Sequence, residues 1–295
     1  MPQRVYNTGF ADGARWERFN HRPGDIFIAT PSKCGTTWTQ TIVASLLFPD
    51  GDAPGPVVII SPWFDGRIEP IEPVAKRVDR QEHRRFVKTH TPADGVPFFP
   101  TASYIVVARD GRDAFMSLDN HMKKIHQEVV DRINEESKDQ GNEPLAWTGD
   151  IATDFDTWLG NADANAVTYV ASWWPKRTEP NVLFVHYNDL KADLDGEMSR
   201  IASFLAIDVP DEQWPAVVER CTFEAMKARP DEIGPFEFVF RGGADSFLFK
   251  GTNGRWHDVL TQRELDVYSE HVAEHLPSDA AAWLEHGAIA SGVRP

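Results

Sequence analysis

Between Asp25 and Phe48 the chain reads DIFIATPSKCGTTWTQTIVASLLF. Ile26, Phe27, Ile28 and Ala29 make a short apolar run, as a strand buried on both faces requires. Pro31, Ser32 and Gly35 then interrupt the pattern. An amphipathic helix follows, with Trp38, Ile42, Val43, Leu46 and Leu47 on its apolar face and a stop before Pro49. A strand, a short turn and a helix start bring unpaired backbone N–H groups and the positive end of the helix dipole to one point. Lys33, Thr36 and Thr37 add a cation and two hydroxyls. This combination predicts an anion site, for which phosphate is the common guest. A capped helix start with a solvated lysine reads the same residues differently. The order is also not that of the GxxxxGK[ST] loop, because Lys33 precedes Gly35.

The 295 residues suit one large α/β domain, and no linker, repeat or low-complexity tract divides them. A single domain over 1–295 is therefore expected. Two cysteines, Cys34 and Cys221, are too few for a disulfide framework and point to a reducing compartment. The first residues carry no apolar signal core, and no run approaches membrane-span length, so a cytoplasmic protein without integral membrane association is expected. A net charge of −15 argues against a nucleic-acid partner. It does not exclude a small polyanion held by a few focused cations.

Further along, Arg84–His90 (RRFVKTH) is a second strand with Lys88 and His90 at its C-terminal end. In open parallel sheets ligands bind beyond the carboxyl ends of strands, so both residues share a rim with Lys33. Tyr104–Ala108 is a third strand, leading through Arg109 and the Asp110-Gly111 turn into a helix that carries Ser117. A guanidinium fork and a hydroxyl converging there suit a terminal phosphate. The helical pattern from Leu118 to Glu136 turns polar, and Lys138–Pro144 (KDQGNEP) reads as a mobile loop, either a lid or a plain solvated connection. His121 and His126 read as exposed helical histidines without metal-spaced partners. Asn165–Lys176 is an amphipathic helix, Val182–Tyr187 a fourth strand, Leu194–Leu205 and Val217–Lys227 helices, and Phe236–Gly254 a loop. From Thr261 the tail is helical and opens with the capping pair Thr261 and Glu264. Strands alternating with helices at this spacing predict a doubly wound, mainly parallel sheet with a P-loop-like anion loop, an α/β fold.

Five short strings occur in one order: Lys-x-Gly-Thr-Thr-Trp at 33–38, Lys-Thr-His at 88–90, Arg-x₇-Ser at 109–117, Tyr-x-Asp at 187–189 and Lys-Gly-x-x-Gly-x-Trp at 250–256. Together they resemble the cytosolic-type sulfotransferases that use 3′-phosphoadenosine 5′-phosphosulfate (PAPS), from about Arg22 to Trp256. The resemblance implies that Lys33, Gly35, Thr36 and Thr37 hold the 5′-phosphosulfate and that Trp38 stacks on adenine. It implies that Arg109 and Ser117 bind the 3′-phosphate with Lys250 and Gly251, and that Tyr187 and Phe223 flank the base. His90 is then the general base, Lys33 balances charge on the leaving oxygen, and Lys88 assists the sulfuryl group in transfer. PAP is the nucleotide product and no metal takes part.

Three positions depart from the family pattern. The proline that precedes the loop lysine has moved to Pro31, leaving Ser32. Cys221 stands where many members have a threonine against adenine. Phe249-Lys250-Gly251 replaces Arg-Lys-Gly and loses one 3′-phosphate ligand, for which Arg241 is the candidate substitute. Trp63, Phe64, Trp147 and Phe155 are either walls for a phenol, alcohol or lipid-like acceptor or parts of the core. The resemblance implies a small-molecule acceptor bearing a hydroxyl or an amine, and monomer and homodimer both stay open. Two rivals remain. A kinase-like nucleotide enzyme would need Mg²⁺ carboxylates, with Asp110 and Asp189 as candidates, and a lysine placed differently. A non-catalytic nucleotide-binding protein would have no use for both Lys33 and His90.

Overall fold

A computed structural model of the chain describes residues 2–138, 141–142, 145, 147–161 and 165–295. Four parallel strands, β1 (Ile26–Ala29), β2 (Phe86–Thr89), β3 (Ser103–Ala108) and β4 (Val182–His186), form a sheet in the order β2-β1-β3-β4. The helices that build and support the site are α1 (Thr36–Leu47), α2 (Gly111–Met122), α3 (Ala166–Trp173), α4 (Leu194–Leu205) and α5 (Gln262–His275).

Strand side chains alternate between two buried faces. Ile26, Ile28, Phe86, Ile105, Val107 and Val185 face a core shared with Ile42, Val43 and Leu46 of α1 and with Met198, Ile201 and Leu205 of α4. Phe27, Val87, Tyr104, Val106 and Phe184 face the other core, with Phe115 of α2, Val167, Val170 and Trp173 of α3, and Tyr268 of α5. Each such side chain contributes roughly 1.5–3 kcal/mol on burial. Both faces are therefore covered, as the unbroken apolar runs require. No helix among the described residues is long and apolar enough to cross a membrane.

Several boundaries differ from the sequence reading. α1 is not amphipathic: Thr37, Thr39, Gln40, Thr41 and Ser45 are buried along with Ile42 and Val43, because other elements cover its polar side as well. The stretch 217–227 is two short helices, Trp214–Arg220 and Phe223–Ala228, since the Thr222 side chain accepts from Ala225 N and caps the second. A helix over Ile71–Asp79 begins inside the Pro-rich segment, with Pro70 at its N-cap. The polar helix after Leu118 breaks between Met122 and Gln127. Of the loop expected over Lys138–Pro144, with its lid alternative, residues 139, 140, 143 and 144 lie outside the described residues. The Thr261–Glu264 capping box is present at the start of α5.

Strand order positions the site. From β1 the chain passes to β2 on one side and then to β3 on the other, so the sheet reverses between β1 and β3. A crevice opens beyond the carboxyl ends at such a reversal. Thr30–Gly35 and Arg109–Asp110 leave the sheet on its two sides. Ala29 pairs with Thr89, so the next residues, Thr30 and His90, come level.

Beneath the opposite end of the sheet lies a buried ion pair. Arg85 Nε donates to Asp25 Oδ1 at 2.8 Å and its NH2 donates to Asp25 Oδ2 at 2.7 Å, with both side chains at most 3% exposed. Arg85→Ala removes the bidentate counter-charge of a buried carboxylate that keeps only the Arg22 amide and the His21 ring, and a loss of about 3–5 kcal/mol in unfolding free energy is expected. The midpoint of urea denaturation measures it, and a shift under about 1 kcal/mol would contradict this account.

Candidate active site

The β1–α1 turn is held in a conformation that few side chains adopt. Lys33 has φ 67° and Gly35, the N-cap of α1, has φ 104°. A Cβ at Gly35 would come 3.1 Å from the Tyr187 ring, so backbone and aromatic approach as closely as glycine permits. No side chain caps α1. Its first amides are thus the kind of donors that bind anions. Thr36 and Thr37 are buried in the first turn, and Thr36 Oγ1 lies 2.6 Å from Thr30 Oγ1. Trp38 donates its indole N–H to the carbonyl of Cys221 at 2.7 Å and sits edge-on to Tyr187 at 5.3 Å. A backbone oxygen does this at position 221, so the loss of a threonine hydroxyl there leaves the indole anchored.

Cations gather over this turn although the chain is strongly acidic. The Lys33 ammonium lies 3.0 Å from Nδ1 of His121 and 4.6 Å from the centre of the Phe247 ring. Burial first, and then the charges of Lys88, Arg109 and Arg255, push Lys33 down to about 7. Lys88 is pushed down to about 8 by burial, against the pull of Asp65, and its ammonium lies 5.7 Å from the Trp63 ring.

His90 Nδ1 donates to the Thr30 carbonyl at 2.8 Å. That bond fixes the tautomer with a lone pair on Nε2. The ring stands edge-on to Trp63 at 4.6 Å. Burial, with Lys88 and Lys33 adding to it, pushes the imidazole down to about 3. It is neutral throughout the physiological range, as a proton acceptor must be.

On the other side of the crevice Arg109 is buried, with its guanidinium 4.3 Å from the Tyr187 ring. Its Nε and NH2 both donate to Asn253 Oδ1, at 3.2 and 2.6 Å, and NH2 also donates to the Thr252 carbonyl at 2.9 Å. The fork thus grips an oxygen in bidentate fashion. The Gly251 carbonyl accepts from Lys191 Nζ at 2.8 Å. Gly251 has φ 62°, and a Cβ there would meet the Phe223 ring at 3.2 Å.

Most of the expected residues are therefore brought together. Lys33, Lys88 and His90 share one end, Arg109 and Tyr187 the other, and Trp38 touches Tyr187. Phe223 packs on the backbone of Gly251. Ser117 is half-buried on α2, and the Arg109 guanidinium donates to Asn253 and Thr252 rather than to its hydroxyl. Lys250 is exposed, its ammonium 5.1 Å from the Phe249 ring. Arg241 is turned away: it is exposed and donates to the Lys123 carbonyl at 2.6 Å.

Of the four candidate acceptor walls only Trp63 reaches the site. Phe64 is 1% exposed within the Trp16–Phe19–Phe27 cluster, Phe155 packs on Phe115 and Trp158, and Trp147 donates to Asp119. Cys34 is the small buried loop residue expected, its thiol pushed up by burial to about 12.

Two groups at the site escaped the sequence reading. His121 is not an exposed helical histidine. It is half-buried between Lys33 and the rings of Phe240 and Phe247, at 4.3 and 5.8 Å, and its pKa is held well below the ordinary value by burial and by Lys33, Lys88 and His90. The signal was there: His121 falls four residues after Ser117, on the same helix face. Arg255 occupies a variable position inside Lys-Gly-x-x-Gly-x-Trp, so the string itself does not mark it. Among the described residues one group of potential metal ligands occurs, His271, Glu274 and His275 on α5, and none of them is an expected site residue.

Residues 23–278 match the family model described as the sulfotransferase domain. A protein named glycolipid sulfotransferase from Mycobacterium bovis is 34% identical, covering 96% of this chain and 94% of the relative. Sulfotransferase 1 family member D1 of Rattus norvegicus is 27% identical, covering 86% and 84%. Among solved structures, retinol dehydratase in complex with androsterone and inactive cofactor PAP aligns with a TM-score of 0.71 at 21% identity, over 91% of this chain and 87% of that one. Mouse sulfotransferase SULT7A1 complexed with PAP aligns at 0.68 and 21%, over 92% and 91%. At these identities the structural likeness concerns the fold.

Proposed function

The chain belongs to the sulfotransferase family, and we propose that it moves a sulfuryl group from PAPS to a hydroxyl of a small, partly apolar acceptor, acting as one domain over 1–295. The observation that carries this is the convergence of Lys33, Lys88, Arg109 and Arg255 on one crevice of an acidic protein, beside a neutral imidazole. Mutually repelling cations depress one another's pKa, and an anion of high charge offsets that cost.

The residues present suit the donor. The α1 amides with Lys33, Gly35, Thr36 and Thr37 form one anion cradle, and Arg109 marks the other end; Ser117, Lys250 and Gly251 are the further ligands the family pattern offers there, and Arg109 would exchange its bonds to Asn253 and Thr252 for bonds to the phosphate. Trp38, Tyr187 and Phe223 supply aromatic faces between them, against backbone kept bare by glycine. Bound there, PAPS supplies an activated S–O bond. His90 Nε2 takes the proton of the acceptor hydroxyl as its oxygen bonds to sulfur. Lys33 meets the negative charge that appears on the phosphate oxygen as the sulfur–oxygen bond to it breaks. Lys88, with its burial and shifted pKa, neutralises the sulfuryl oxygens in transfer.

Trp63, Phe240 and Phe247 surround this end with apolar surface, which favours an acceptor with an apolar body. The glycolipid named in the mycobacterial relatives and a phenol or simple alcohol both answer to that description. The setting is the cytoplasm, as monomer or homodimer.

Titration calorimetry with PAP, ADP and AMP tests the donor. A preference for PAP over AMP on the order of 100-fold is expected, since a second phosphate adds several charge-assisted hydrogen bonds. Equal affinities would remove PAPS from the proposal.

A further inference from the structure

We infer that Arg255 supplies the guanidinium missing from position 249, and that it rather than Arg241 completes the cradle for the terminal phosphate. This rests on the nucleotide assignment above and adds to it a specificity residue outside the family pattern.

Three observations carry it. First, Arg255 Nε is buried without a hydrogen-bond partner. Buried donors are nearly always paired, and an orphaned one costs a desolvation penalty that needs a reason. Second, Arg255 belongs to the turn that already holds Arg109. Thr252 and Asn253 accept from Arg109, Gly254 turns the chain with φ 77°, and Arg255 follows. The two guanidiniums are close enough to repel each other, and both act on Lys33. Third, the Arg255 guanidinium lies 5.8 Å from the Phe249 ring. The side chain that took the place of the family's arginine has become a platform for another one.

Two carboxylates also act on Arg255. Asp113 Oδ1 accepts the Gly254 amide at 2.8 Å, and Asp119 accepts from Trp147 and Lys123. Each is already engaged, and neither bonds to Arg255 Nε. Arg241 has no such setting. Its backbone N–H donates to the Lys124 carbonyl and its guanidinium to the Lys123 carbonyl, beyond the far end of α2, on an exposed side chain.

The test compares binding of PAP and AMP to the native protein and to Arg255→Met, Arg255→Lys and Arg241→Ala. Methionine keeps the length and the packing against Phe249 while removing the fork. Arg255→Met should lose roughly 10–100-fold in PAP affinity with AMP affinity unchanged, as expected for charge-assisted bonds to one phosphate. Arg255→Lys should recover part of that loss and Arg241→Ala should bind as the native protein does. Unchanged AMP affinity also shows that the variant is folded. The inference is overturned if Arg255→Met keeps the native PAP preference, if it weakens PAP and AMP alike, or if Arg241→Ala is the variant that loses it. A native protein without any PAP preference would be a different failure, of the nucleotide assignment itself, and would be seen before any variant is made.

Discussion

His90→Ala should cut turnover by roughly 10²–10⁴-fold, the usual worth of a positioned general base, while the affinity for PAP stays near native. Both halves follow from how the ring is held. Nδ1 donates to the Thr30 carbonyl, so the ring is oriented by backbone and its lone pair is on Nε2. The imidazole sits against Trp63 on the acceptor side, not among the groups around Arg109 and Tyr187. Removing it takes away the proton acceptor without touching the nucleotide cradles. Because burial, Lys88 and Lys33 hold the imidazole at about 3, the ligand-free enzyme keeps it unprotonated as pH falls. The acid side of kcat/KM should therefore stay flat from neutral pH down to about 5, where an ordinary histidine would already have lost its base form. Steady-state kinetics across pH with any competent alcohol or phenol checks both statements. A His90→Ala enzyme with near-native kcat would end the general-base role.

How much of this could be read from the chain alone differs between the sheet and the site. The strands stood out because both of their faces are buried, which leaves runs such as Ile26–Ala29 and Tyr104–Val107 without a polar residue. Helix limits were harder. Thr222 looks like any helical residue until its side chain is seen to cap Ala225, and α1 looks amphipathic until its threonines prove to be buried too. At the site, residues immediately after a strand were legible, since strand ends fix where they go: Lys33, His90 and Arg109 needed only the strand order. His121 and Arg255 depend on packing between segments distant in sequence. The Lys33–His121 contact spans 88 residues, and Arg109 meets Asn253 across 144. No local periodicity records such contacts. The aromatic walls show the same limit. Trp63 and Phe64 are adjacent, yet the paired edge at Trp63 and Lys88 sends one toward His90 and the other into the core.

Lys33→Met should lose about 10³-fold or more in kcat and at the same time raise the melting temperature, by roughly 2–5 °C near pH 7. The two effects have one cause. Lys33 is a desolvated ammonium among Lys88, Arg109 and Arg255, so the native protein is less stable for holding it charged, and the reaction needs that charge against the leaving phosphate. The sign with pH follows from linkage. Folding lowers this lysine from an ordinary 10.5 to about 7, so between those values the unfolded chain binds more protons than the folded one. Stability of the native protein therefore rises with pH across that window, and the advantage of Lys33→Met is largest below pH 7 and shrinks toward pH 10. Nucleotide binding runs the other way. A polyanion in the cradle favours charged Lys33 and Lys88, so PAP should bind with uptake of about one proton near pH 8 and more weakly as pH rises further. Calorimetry in two buffers of different ionisation enthalpy counts that proton, and thermal unfolding at pH 7 and pH 10 reads the stability difference. If Lys33→Met melts below the native protein at pH 7, or if PAP binds with no proton uptake at pH 8, the lysine is not carrying the strained charge on which this site is built.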